Sequence, residues 1–78
     1  MFLTQCIKGG SVDRRSGWLI GFHYDEDVIE NIKMCIPHTE REWREKEKVW
    51  WVSEVYIDFL KKQFSNFEAL AFLQGKLL

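Results

Sequence analysis

Cys6 and Cys35, His23 and His38, the acidic run Asp25-Glu26-Asp27, and Ser16, Ser53 and Ser65 are the side chains able to carry catalysis or hold a metal. None falls in a spacing that such chemistry uses. Zinc sites need three or four ligands with short-range pairs of cysteine or histidine, and neither pair here is close in sequence. The serines lack a glycine-framed elbow and a histidine partner, so a nucleophile and base are not brought together. Asp25, Glu26 and Asp27 precede an apolar periodic segment, where carboxylates favour a helix start rather than acid–base work. The sequence therefore predicts no enzyme, no metal and no cofactor.

Binding chemistry is better represented. Three of the four tryptophans lie in Arg41-Glu42-Trp43-Arg44-Glu45-Lys46-Glu47-Lys48-Val49-Trp50-Trp51-Val52. Two alternating runs flank a charged centre, the pattern of a β-hairpin. With Glu45 paired to Lys48, the turn is Lys46-Glu47 and the opposed positions are Arg44/Val49 and Trp43/Trp50. Trp43, Trp50 and Val52 then share one face, and Glu42, Arg44, Val49 and Trp51 the other. Lys-Glu is a weak turn signal, and a slip of one residue exchanges the two faces.

In this register Trp43 and Trp50 form a core pair. If helices cover only one side of the sheet, Trp51 is left on the open side beside Arg44, where an indole can stack a nucleobase or anchor a protein contact. The competing reading packs Trp51 under the third helix. Arg44, Lys46 and Lys48, with Arg14 and Arg15 from a glycine-flanked loop, are the candidate phosphate contacts. Glu40, Glu42, Glu45 and Glu47 interleave with the hairpin cations, as in a solvated strand pair with cross-strand salt bridges.

The flanking elements must position these groups. Phe2 to Lys8 reads as a first strand, Gly9 to Gly17 as a loop, and Trp18 to His23 as a second, antiparallel strand. Gly21 marks a bulge or a close backbone approach. Asp25 caps a short helix whose stripe is Val28, Ile29, Ile32, Cys35 and Ile36, ended by Pro37. After the hairpin, Ser53 caps a second helix with Val55, Tyr56, Phe59, Leu60 and Phe64 on its apolar side. Ser65-Asn66-Phe67-Glu68 fits a capping box that starts a third. From Phe67 to Leu78 the apolar residues occupy more than one side of that helix. Phe67, Leu70, Phe72 and Leu73 are thus candidates for docking a protein partner or a second copy of the chain.

The expected architecture is a single α+β domain over residues 1–78, ordered β-β-α-β-β-α-α. It has an antiparallel or mixed sheet of about four strands, with helices mainly on one face. A chain of 78 residues with 46% apolar, 15% aromatic and 29% charged side chains can build one core with little stability to spare. Net charge is −1, so no global basic field attracts DNA or an anionic membrane. The N-terminus lacks a signal-peptide pattern, and no apolar run approaches the ~20 residues of a membrane span. Of a Cys6–Cys35 disulfide and two buried free thiols in a reducing cytoplasm, the sequence favours the second. The expectation is a soluble cytoplasmic protein.

Phe22-His23-Tyr24-Asp25-Glu26-Asp27-Val28-Ile29-Glu30-Asn31-Ile32-Lys33 followed by Trp43-Arg44-Glu45-Lys46-Glu47-Lys48-Val49-Trp50-Trp51-Val52 resembles the HARP domain. That module precedes the motor of annealing helicases in the SWI/SNF superfamily, and similar segments accompany phage and bacterial helicases. The shared pattern runs over about Trp18 to Phe64: an aromatic strand ending in tyrosine, a short helix, an aromatic-charged hairpin, then tryptophan, an apolar residue and a helix. By position, Tyr24, Ile29, Trp43, Trp50 and Val52 match mainly fold-defining sites. Ser53 stands where many relatives carry proline, acidic residues offset the basic ones, and no motor segment follows. The resemblance implies a compact module that helps recognise branched or single-stranded DNA, here as a stand-alone copy of the kind a small phage-type open reading frame encodes. The sequence-level alternative is a protein-interaction factor, a phage adaptor or host-directed inhibitor docking through residues 67–78.

Overall fold

The computed structural model describes residues 2–76, with side chains up to Phe72. Strands β1 (Gln5–Gly10) and β2 (Ser16–Gly21) are followed by helix α1 (Glu26–Cys35). A 3-10 turn (His38–Glu40) leads into β3 (Arg41–Arg44) and β4 (Val49–Ser53). A second 3-10 turn (Glu54–Tyr56) precedes α2 (Ile57–Gln63) and α3 (Phe67–Lys76). The four strands form one antiparallel sheet in the order β1-β2-β4-β3. This is the expected α+β architecture and element order.

Local chemistry explains the element ends. The Asp25 carboxylate accepts from the backbone N–H groups of Asp27 at 3.0 Å and Val28 at 3.2 Å, satisfying two donors that the first turn of α1 leaves free. Ile36 is extended, as a residue before proline must be, and Pro37 ends the helix. Ser53 caps the 3-10 turn rather than a regular helix, and Val55 is thrown outward, 71% exposed, instead of joining the α2 stripe. Asn66 precedes α3 and spends its side-chain amide elsewhere. Its oxygen accepts from Leu3 N–H at 2.8 Å and its nitrogen donates to the Leu3 carbonyl at 3.0 Å. This pair ties the start of the chain to the last helix and replaces the ladder partners expected for a strand beginning at Phe2.

The hairpin register is as read from alternation: Arg44 faces Val49 and Trp43 faces Trp50. The connection is longer than a two-residue turn. Glu45 to Lys48 all lie outside the ladder, and Lys48 closes the loop at φ 57.

One sheet face carries the main core. Cys6, Trp18, Ile20, Trp50 and Val52 meet Val28, Ile32 and Ile36 of α1 and its C-cap, Leu60 and Phe64 around α2, and Phe67 and Ala71 of α3. Trp18 meets the edge of Phe67 at 5.3 Å, and Phe22 lies 5.3 Å from Phe64. Cys35 is exposed rather than part of the stripe, while Cys6 is buried. Burial pushes the Cys6 thiol up to about 11.

The other face carries no helix among the described residues, yet its β4 side is closed, while Ile7 of β1 stays 47% exposed. Trp51 is 0% exposed and Val49 2%, both outside the main cluster. The Trp51 indole lies across β-strand backbone that has no side chains to obstruct it. Its Nε1 donates to the Gly9 carbonyl at 3.2 Å, and a Cβ on Gly17 would stand 2.6 Å from Trp51 Nε1 and closer still to the Val52 carbonyl oxygen. Any residue larger than glycine at 17 must displace backbone or a fully buried ring. We therefore expect Gly17→Ala to destabilise the fold by about 1–3 kcal/mol. Gly10→Ala, whose Cβ would meet its nearest atom at 3.7 Å, changes it little. Urea unfolding of the two variants checks this; equal midpoints would contradict it.

Candidate functional site

The sequence-predicted binding residues separate into two groups. Trp51, Arg44 and Arg15 do assemble on the helix-free face, but not as an open surface, and Arg14 lies exposed in the adjoining loop. The loop between β1 and β2 folds back over Trp51. Ser11 organises it: its Oγ accepts from Asp13 N–H at 3.2 Å and Arg15 N–H at 3.0 Å, while Arg14 takes the left-handed conformation at φ 64. The loop is then pinned to β3. Val12 N–H donates to both Glu42 carboxylate oxygens at 3.2 and 3.3 Å, and Arg44 Nη2 donates to the Gly10 carbonyl at 2.7 Å. Arg15 donates to the Thr39 carbonyl at 3.0 Å, pairs with Glu40, and places its guanidinium 6.0 Å from the Trp51 ring centroid.

These contacts correct the reading of Trp51 as an exposed stacking surface. It is buried, and what covers it is the Arg14-Arg15 loop rather than the third helix. The Arg15 hydrogen bond holds the Glu40 carboxyl below its usual range and raises the guanidinium in turn. Arg15 and Arg44 serve here as clamps on backbone carbonyls and carboxylates.

The docking residues also divide. Phe67 is 0% exposed and belongs to the core, so it presents no surface. Leu70 is half-buried against the same cluster. Phe72 is 44% exposed and lies edge-on to Trp18 at 6.2 Å. The Leu73 side chain and residues 77 and 78 lie outside the described residues.

The second group surrounds an open groove that sequence reasoning missed. Tyr24 and Ile29, from the start of α1, face Trp43 and Trp50 of the hairpin across a cavity of about 300 Å³, completed by Ile20, Phe22 and Lys48. A contiguous space of about 400 Å³ adds Lys33. Trp43 and Trp50 pair as expected, with centroids 5.4 Å apart. Only Trp50 is buried, however; Trp43 remains 46% exposed and Tyr24 80%. The core pair is thus one inner ring and one outer ring. Helix α1 covers the inner ring and stops short of the outer, because β3 is the sheet edge and carries no further strand. The signal available was Tyr24, an aromatic residue between β2 and α1 whose ring lines the cavity facing the hairpin.

Chemically the groove is an aromatic slot with positive ends. Its charged lining residues are Lys33 and Lys48. Lys46 is exposed on the adjoining turn, and Glu45 reaches back to Trp43 Nε1 at 2.6 Å and Lys48 Nζ at 3.0 Å. The hydrogen bonds from Lys48, then Trp43, keep the Glu45 carboxyl below its ordinary range. Among the described residues, no group of three His, Cys, Asp or Glu side chains could hold a metal, and no helix is long and apolar enough to cross a membrane. Compared with known protein families, curated proteins and solved structures, the chain shows no match to any of the three.

Lys48 is the strained member of the site. A lysine at φ 57 costs about 1–2 kcal/mol, whereas glycine occupies that region freely. Its exposed pair with Glu45, three residues back, returns only ~0.2–0.5 kcal/mol. Lys48→Gly is therefore expected to leave stability unchanged or raise it by up to about 1 kcal/mol, allowing for glycine's own entropy. A loss larger than that in urea unfolding would show that the lysine is there for the fold.

Proposed function

We propose that this chain is a small non-catalytic module that binds single-stranded DNA through the groove between α1 and the hairpin. The observation that carries the reading is Trp43: an indole half open to solvent, backed by Trp50, in a slot lined by Lys33 and Lys48, with the Glu45 carboxylate held on Trp43 and Lys48 at its rim. Base stacking on an exposed aromatic contributes ~1–3 kcal/mol and is tolerant of sequence. Tyr24 supplies a second ring on the opposite wall. Lys33, Lys46 and Lys48 supply the phosphate contacts.

The strain held at Lys48 supports a functional role for that side chain, since a weak surface pair does not offset it. The HARP resemblance points the same way, toward branched or single-stranded DNA in a helicase-associated setting. Duplex B-DNA fits less well, because a narrow aromatic slot reads unstacked bases. With Lys33 and Lys46 releasing counterions and Lys48 already paired with Glu45, a slope of about −1.4 in log affinity against log salt is expected, at ~0.7 per single-strand phosphate. A net charge of −1 adds no long-range attraction, so binding is confined to low and moderate salt.

Titration of a short oligothymidylate, followed by fluorescence anisotropy of a labelled strand, tests this. Trp43→Ala should weaken binding by roughly 5- to 150-fold, the equivalent of one lost stacking contact. Its circular dichroism should stay native, because the ring is only half-buried. Lys48→Gly should weaken binding while keeping its stability. An unaltered affinity in Trp43→Ala, or no binding by the wild-type chain at low salt, would overturn the proposal.

A further inference from the structure

We propose that Glu45 is a resident anion of the groove, occupying the position that a ligand phosphate takes on binding and so setting which ligands the site accepts. This rests on the DNA-binding reading above. Each oxygen of the Glu45 carboxylate serves one donor of the site: Oε2 accepts from the Trp43 indole at 2.6 Å, and Oε1 accepts from the Lys48 ammonium at 3.0 Å. Those are the ring that stacks a base and the cation that meets its neighbouring phosphate. A phosphodiester presents the same kind of edge, two anionic oxygens side by side. To take these same two donors it must displace the carboxylate, although the exposed ammonium keeps two further N–H groups for a ligand.

The surroundings favour exchange over a permanent contact. Glu45 and Lys48 are both exposed, and the pair is spaced three residues apart in a turn rather than locked in a helix or ladder. The unusual backbone at Lys48 turns the ammonium back toward the groove, where it lines the cavity with Trp43. A carboxylate already on that ammonium cancels its charge for any passing anion. Only a ligand that stacks on Trp43 and delivers a phosphate next to it compensates for releasing Glu45. A neutral nucleoside stacks without disturbing the carboxylate. Glu45 thus acts as a specificity residue, discriminating a nucleotide strand from both loose anions and neutral aromatics.

Glu45→Gln separates charge from geometry, because the amide oxygen still accepts from the indole while the anion is gone. The variant should bind oligothymidylate on the order of fivefold tighter than wild type, from one removed like-charge contact and one liberated lysine. Its salt dependence should steepen by about 0.7, since Lys48 then releases a counterion of its own on meeting a phosphate. Thymidine, the nucleoside without phosphate, should bind both proteins equally. Wild-type binding with an equal or weaker Glu45→Gln affinity would overturn the resident-anion assignment and leave the DNA reading standing. Absence of binding by both proteins at low salt would overturn the DNA reading itself. Binding by Glu45→Gln alone would support both.

Discussion

The fold depends on one indole being laid on bare backbone. A four-stranded sheet with helices on one side has a second face to close, and this domain is too small for a second layer. Trp51 closes the part of it over β2 and β4 by lying across Gly17 and donating to the Gly9 carbonyl, while Ile7 on β1 stays 47% exposed. Burying a ring of that size contributes roughly 4–6 kcal/mol of transfer free energy, before chain entropy is counted. That is comparable to the whole net stability of many domains of this size, which is ~5–15 kcal/mol. Gly17 is required because a side chain there would meet the ring and the Val52 carbonyl, whereas Gly9 supplies its carbonyl and makes room for the Leu19 side chain.

The polar cover over Trp51 works differently. Surface ion pairs such as Arg15–Glu40 contribute ~0–1 kcal/mol each, so their sum is not what holds the face closed. Their role is positional. Arg44 and Glu42 satisfy a backbone carbonyl and an N–H of the loop, and Arg15 satisfies the Thr39 carbonyl, so the loop has one resting place. Arg15 and Arg44, two of the arginines expected to contact phosphate, are thereby committed to the fold, while the Arg14 side chain stays exposed. The lysines of the hairpin turn and α1 stay outside this clamp, next to the ring that the helices leave half uncovered. Closure of one face and openness at the edge of the other are two results of the same hairpin.

Much of the architecture was legible from period alone. Alternation in Trp43 to Val52 gave the correct register, because two apolar sets of opposite phase leave one good pairing. Asp25 and Pro37 bounded α1 by mechanisms that are local to the chain. What could not be read was which neighbour each face would meet. Gly9 and Gly17 read as loop punctuation, yet both are strand residues: Gly17 makes room for a ring more than thirty residues away, and Gly9 makes room for Leu19. Asn66 read as part of a capping box, yet it bonds Leu3 at the other end of the chain. Phe67 read as surplus apolar surface because nothing local revealed that Trp18 would receive it. The groove was missed for the same reason: its two walls, Tyr24 and Trp43, are brought together by tertiary packing.

The assignment of one tryptophan to the fold and another to the ligand is tested most directly by the indole N–H resonances. The chain has four tryptophans and so four such signals in a ¹⁵N-labelled sample. Addition of an oligothymidylate should shift the Trp43 signal strongly, as a base stacks on it and Glu45 lets go of its N–H. The Trp51 signal, held against the Gly9 carbonyl, should stay in place. A titration that moves Trp51 and leaves Trp43 unmoved would contradict the account.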